Sequence, residues 1–140
     1  MEAVVYRAAR RALATGSLDL VGDPLKVALV ADSYRPDADR HTSFADVRPH
    51  EVRGRDYEPG GKALRNRCLL RGLGGAEVFD ADDLEWPSSF RASRAVLYKC
   101  RGGPDAADEL VCCFALRGRG GESLPFVGKV CWDADGILQL

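Results

Sequence analysis

The chain has 140 residues, 46% hydrophobic and 29% charged, with 20 basic and 21 acidic side chains and a net charge of -1. That length suits one domain with its own core, the composition excludes a disordered chain, and the balanced charge excludes a general attraction to nucleic acid or an anionic membrane surface. No apolar run approaches the ~20 residues of a membrane helix, and MEAVVYRAARRALATG, with acid and base from the outset, does not read as a signal peptide.

Residues 2–14 predict a helix. Val5, Ala8, Ala9, Ala12 and Leu13 share one face, Arg7, Arg10 and Arg11 lie toward the C-terminal half where cations suit the dipole, and Gly16 is a natural stop. After a turn-rich GSLDLVGDP, LKVALV is apolar on both alternating faces except at Lys26, as in a buried strand. SYRPDADRHTS reads as a loop. Ser43 is placed to cap one helical turn through Phe44 to Val47, which Pro49 should end, and GRDYEPGGKAL reads as a second loop.

From Leu64 onward the pattern is of short strands. Apolar or alternating runs at 65–71, 76–80, 84–86, 90–100, 110–116, 125–132 and 137–140 are separated by Gly-rich or Asp-rich breaks. This spacing predicts a mainly β fold, an antiparallel sandwich or barrel-like body over 25–140 behind the N-terminal helix of 1–16, in a single domain spanning 1–140. WDADGILQL is the clearest hairpin, with Asp135-Gly136 as a two-residue turn. No internal repeat, linker or low-complexity tail is present.

Five cysteines, Cys68, Cys100, Cys112, Cys113 and Cys131, include no C-x-x-C. They read as reduced, mostly buried thiols, with Cys112 and Cys113 on opposite faces of a strand and no spacing that points to zinc. FDADDLEW concentrates Asp80, Asp82, Asp83 and Glu85. Calcium takes such oxygen ligands from one loop, but the EF-hand order is missing here and in the D-x-D-G fragment of Asp133 and Asp135. The preferred reading is a turn whose aspartates bond their own backbone, with Glu85 facing solvent between inward Leu84 and Trp86. His41 and His50, the only histidines, lie in loops near Asp37, Asp39 and Asp46. A His/carboxylate metal site or a Cys-His pair is weighed against ordinary loop histidines, and the loop reading is preferred. RGLGGAEV and RGRGGESL match no dinucleotide or phosphate loop, and both read as hairpin loops. Arg53, Arg55, Arg65, Arg67 and Arg71 make the middle of the chain locally basic, either as a solvated face or as one side of an interface with an acidic neighbour.

Five strings occur in order: LKVALVADSYRPDADRH, FADVRPHEVRGRDYEPGGKAL, VFDADDLEW, RASRAVLYK and WDADGILQL. Together, over about 25–140, they resemble a family of small proteins encoded in the structural gene clusters of tailed bacteriophages and prophages. The departures are the cysteines, the basic stretch 65–71 and the RGGPDAADE loop. The resemblance implies a non-enzymatic virion protein without cofactor or metal, assembled in a host cytoplasm. Its partners would be other virion proteins, major capsid or tail, and further copies of itself. Capsid decoration or a head-fibre base is the favoured role. A tail-associated protein is the alternative, and the rivals are a carbohydrate or host-surface binding module and a metal-dependent hydrolase using His41 and His50. Loops 34–44 and 54–64 are the expected contact surface, with Tyr34, Arg35, Phe44, Arg53, Arg55, Tyr57 and Trp86 as interface residues, Tyr34 and Tyr57 exposed, and Trp86 in the core or a subunit contact.

Overall fold

A computed structural model describes residues 3–88, 91–116, 128–132 and 136–140. The chain enters as a strand, β1 (Ala3–Val5), and not as a helix. The run of alanine and two valines pairs antiparallel with β8 (Leu110–Ala115), Val5 opposite Cys112, so pairing to an available strand overrides the helical periodicity. Tyr6 stays extended and fully buried, and α1 begins only at Arg7, running to Thr15. This shift corrects the dipole expectation: Arg7, Arg10 and Arg11 occupy the first half of the helix, and its last turn has no basic residue. Gly16 is the stop, in a left-handed conformation (φ 79°) in which its N–H meets the carbonyl of Leu13.

LKVALV forms β2 (Leu25–Val30), buried at every position except the half-buried Lys26. It lies between β7 (Arg94–Lys99), paired from Leu25 opposite Lys99 to Val30 opposite Arg94, and the short β3 (Lys62–Ala63). The five-stranded antiparallel sheet therefore runs β1-β8-β7-β2-β3. β3 falls inside GRDYEPGGKAL, for which the glycines and proline predict only a loop. Gly61 explains how it docks. With φ at 80°, it lies so close to β2 that a Cβ would come within 1.9 Å of the Val27 carbonyl oxygen. Between β2 and β3, Phe44–Asp46 forms a single 3-10 turn, as the Ser43 reading anticipated in outline. Pro49 does not end it. It is the second residue of another 3-10 turn, Arg48–His50, at a position where no backbone N–H is needed.

The strands after residue 65 appear where the alternation placed them. β4 (Cys68–Arg71) and β5 (Glu77–Asp80) form a hairpin through the glycine-rich 72–76 turn, and β10 (Leu138–Gln139) adds to β5. β6 (Leu84–Glu85) pairs with β9 (Lys129–Val130). The flanks of the expected WDADGILQL hairpin thus pair elsewhere, β9 with β6 and β10 with β5. Residues 133–135, including Asp135 of the expected turn, the RGRGGESL loop and the ends of two predicted strands (90 and 125–127) lie outside the described residues. Leu29, Val96 and Phe114 of the large sheet share one hydrophobic cluster with Phe79, Leu138, Leu84 and Val130 of the small ones. The architecture is mainly β, built from antiparallel sheets with one short helix.

Candidate interaction surface

The residues expected at an interface divide into two groups. Tyr34, Phe44, Tyr57 and Trp86 are buried at 1, 0, 4 and 4% exposure, whereas Arg35, Arg53 and Arg55 are exposed. The expectation that Tyr34 and Tyr57 present their rings to a neighbour is therefore corrected. Both rings carry a polar tip that finds partners inside the fold, so burial keeps their apolar body out of water without stranding the hydroxyl.

Tyr34 anchors the first loop. Its hydroxyl lies 2.6 Å from that of Tyr6 and 3.0 Å from His41 Nδ1. The amide of Asp37 also donates to His41 Nδ1, at 3.2 Å, so that nitrogen carries no proton, Tyr34 donates to it and Tyr6 donates to Tyr34. His41 stacks on the Tyr34 ring, and His50 lies tilted beside it with Nδ1 2.9 Å from Ser33 Oγ. Asp37 accepts from the amides of Asp39 and Arg40, both at 3.1 Å. Burial raises both phenols, with Tyr34 pushed up to about 12. The spacing Y-x-P-D-x-D-x-H thus describes a loop closed upon itself.

Glu51 organises the second loop. Its side chain is only 6% exposed. One oxygen accepts from the Tyr57 hydroxyl (2.6 Å) and the Gly60 amide (2.7 Å), and the other from Arg48 (2.9 Å). The Tyr57 hydroxyl in turn accepts from the Leu29 amide of β2 at 3.0 Å, and burial first, then Glu51, raises its pKa. Arg48 grips Asp105 with two bonds of 2.9 Å and lies 4.6 Å from the centre of the Phe44 ring, which stacks on Tyr98. Tyr98 closes the circuit by donating to the Gly60 carbonyl at 2.7 Å. The bond to Arg48 holds the Asp105 carboxyl below its usual range. Sequence reading singled out neither Glu51 nor Arg48. The available signal was their i,i+3 spacing followed by Tyr57 and Gly60-Gly61.

FDADDLEW holds the end of β5, a turn and β6, and the expectation that its aspartates bond their own backbone is corrected for Asp82 and Asp83, which reach other segments. Asp80 accepts from the Ala81 amide, Asp82 from the side chain of Asn66, and Asp83 from the Trp132 amide at 2.9 Å, while the Trp132 indole donates to the Asp82 carbonyl. Glu85 is exposed opposite Lys129, between buried Leu84 and Trp86. Trp86 packs against Tyr57 and beneath Lys62 Nζ. Among the described residues no group of three His, Cys, Asp or Glu side chains is arranged to hold a metal ion. All five cysteines are free. Cys112 and Cys113 are fully buried, with burial holding Cys112 well above the usual range and pushing Cys113 up to about 11, whereas Cys131 is exposed.

Outside these anchors Arg53, Arg55 and Arg91 are exposed around the second loop, which also exposes Asp56 and Glu58. A depression of about 530 Å³ is lined by Ala31, Val52, Arg53, Arg55, Asp56 and Arg91 among others. A neighbouring one of about 460 Å³ adds Arg48, Pro49, Tyr57 and Pro59 and shares Glu51 to Gly54 with the first. Asp56 bonds to Ser88, and Arg53, Arg55 and Arg91 make no ion pair with a described residue. Arg35 is exposed but lines neither depression. No helix is long and apolar enough to cross a membrane among the described residues. No family model matches the chain, and neither does any curated protein or solved structure.

Proposed function

We propose that this chain is a non-enzymatic structural subunit of a tailed-phage-type particle, of the capsid-decoration or head-fibre-base kind. It works by docking its arginine-bearing second loop on a neighbouring virion protein. The observation that carries this reading is how the resemblance strings are used. Tyr34, Asp37 and His41, then Glu51, Tyr57 and Gly60, then the FDADDLEW aspartates all bond within the fold to hold loops, leaving Arg53, Arg55 and Arg91 turned outward. Loops already ordered lose little entropy when they dock. Exposed guanidinium groups orient the encounter with an acidic neighbour, each pair contributing about 0.2–1 kcal/mol, which repetition over many copies multiplies through avidity.

The test is to purify tailed particles from cells carrying the gene and measure this chain against the major shell protein by quantitative mass spectrometry. A fixed copy ratio that the triple variant Arg53→Glu, Arg55→Glu, Arg91→Glu abolishes supports the reading. A chain found only in the soluble fraction overturns it. Light scattering across a concentration series then separates a preassembled spike or fibre base, seen as a stable oligomer, from a decoration protein that stays monomeric until it meets the shell.

A further inference from the structure

We infer that the edge of β4 left unpaired among the described residues is a docking site for an extended acidic strand of a partner protein, which joins the small sheet as a fourth strand. The site is distinct from the arginine-lined loop and does not depend on the virion reading. β4 pairs with β5 on one side, and no described strand pairs with its other side. The Gly72 amide bonds to the Ala76 carbonyl. Because bonded and non-bonded pairs alternate in an antiparallel ladder, Leu70 opposite Val78 faces β5, and the N–H and C=O groups of Leu69 and Arg71 face outward.

The side chains fit the same reading. Leu69 and Leu70 are 48 and 52% exposed, although their ladder partners Phe79 and Val78 are buried. Two adjacent leucines exposed on opposite faces of one strand leave apolar surface that an added strand would cover. A docked strand with apolar residues on the Leu70 face and carboxylates on the Leu69 and Arg71 face covers the first leucine with its side chains and the second with their methylenes.

Charge decides between a foreign strand and a second copy. Arg71 is exposed beside the leucines, opposite Glu77 of β5, while Arg65 is exposed ahead of the strand and Arg67 has its guanidinium turned back to the carbonyls of Leu20 and Asp23. The acids Glu77 and Asp80 belong to β5, one strand further in, so an added strand lies about 5 Å from β4 and about twice that from β5, near the screening length of physiological salt. Antiparallel pairing of two β4 edges must match outward-facing residues. Leu69 to Leu69 puts Arg71 opposite Arg67, Leu69 to Arg71 sets the two Arg71 residues diagonally, and Arg71 to Arg71 opposes them directly. The last two registers bring exposed like charges together, while in the first Arg71 meets an Arg67 whose guanidinium is held by its own fold, so charge disfavours two of the three self-pairings and favours carboxylates beside Arg71.

The probe is a capped peptide of alternating glutamate and valine, about seven residues long, with its lysine–valine counterpart as control. Binding to the full chain is followed by fluorescence anisotropy and by amide hydrogen exchange. The glutamate peptide is expected to bind, to slow exchange at Leu69 and Arg71, and to be preferred over the lysine peptide by about tenfold or more. Leu69→Pro removes an outward N–H and leaves the bonds to β5, so binding should fall while the fold is retained. Arg71→Glu leaves the backbone untouched and should reverse the peptide preference, which keeps the test sound if the proline variant unfolds. Absence of binding at millimolar peptide, equal affinity for both peptides, or protection of Leu69 and Arg71 by self-association without peptide overturns the proposal.

Discussion

The five-stranded sheet and the small sheet of β4, β5 and β10 obey the same hydrogen-bonding rules and expose very different amounts of themselves. In the first, β2, β7 and β8 are buried at all but one position each, and α1 packs against β8. In the second, burial stops on the β4 side of β5. Phe79 is fully buried, while its partner one strand out, Leu69, is half exposed. The difference separates two kinds of strand: side chains enclosed on both faces hold the fold, whereas β4 pairs with a described strand on one side only and leaves Leu69 and Leu70 about half exposed. The 31–64 loops stand between these extremes, with aromatic anchors belonging to the core and arginines belonging to the surface.

The largest effect expected is alkaline. All four tyrosines, Tyr6, Tyr34, Tyr57 and Tyr98, are buried with pKa values raised foremost by burial. An unfolded phenol ionises near about 10. Their neutral forms therefore contribute stability that is complete below that pH and is lost as pH rises through the folded values, about 12 for Tyr34. Tyrosinate absorbance should rise in one step together with loss of circular dichroism. A tyrosine titrating freely at ordinary pH while the fold persists would return Tyr34 or Tyr57 to the surface.

Next, Leu97→Ala in the centre of the large sheet should cost about 2–5 kcal/mol in denaturant unfolding. Leu69→Ala on the half-exposed β4 should stay within about 0.5 kcal/mol. Similar losses at the two sites would break the contrast between the sheets. Gly61→Ala sharpens it for the loops. Its left-handed φ alone costs a non-glycine residue about 1–3 kcal/mol, and overlap with the Val27 carbonyl adds to that. The melting temperature should fall clearly further than for Gly75→Ala, where φ is also positive but no atom lies within 4 Å of the new Cβ.

The smallest effect is acidic. The Asp105 carboxyl is lowered by its bond to Arg48, so the pair contributes stability above an ordinary carboxyl pKa of about 3.9 and loses it as pH falls through the lower folded value. With Arg48 and Asp105 at 39 and 31% side-chain exposure, the contribution is about 0.2–1 kcal/mol. Asp105→Asn should remove this difference between pH 7 and pH 3 and leave the rest of the acid profile unchanged, as read by denaturant midpoints.

Much of this fold was legible along the chain because period-two alternation and glycine turns are local signals. LKVALV became β2, the runs after residue 65 became strands, Gly16 stopped the helix, and Glu85 faces water between two buried neighbours. Partners were not legible. Whether Val4 and Val5 extend a helix or pair with β8, and whether the strands flanking residues 133–135 meet each other or β6 and β5, depends on edges supplied by segments far away in sequence. The candidate surface divides the same way. Residue type alone placed arginines near a loop, but a tyrosine suits a binding face and a satisfied core equally well. Only the approach of Tyr6, His41, Glu51 and the Leu29 amide to two phenol oxygens decided that Tyr34 and Tyr57 lie inside, because a buried hydroxyl is tolerated where hydrogen-bond partners converge on it.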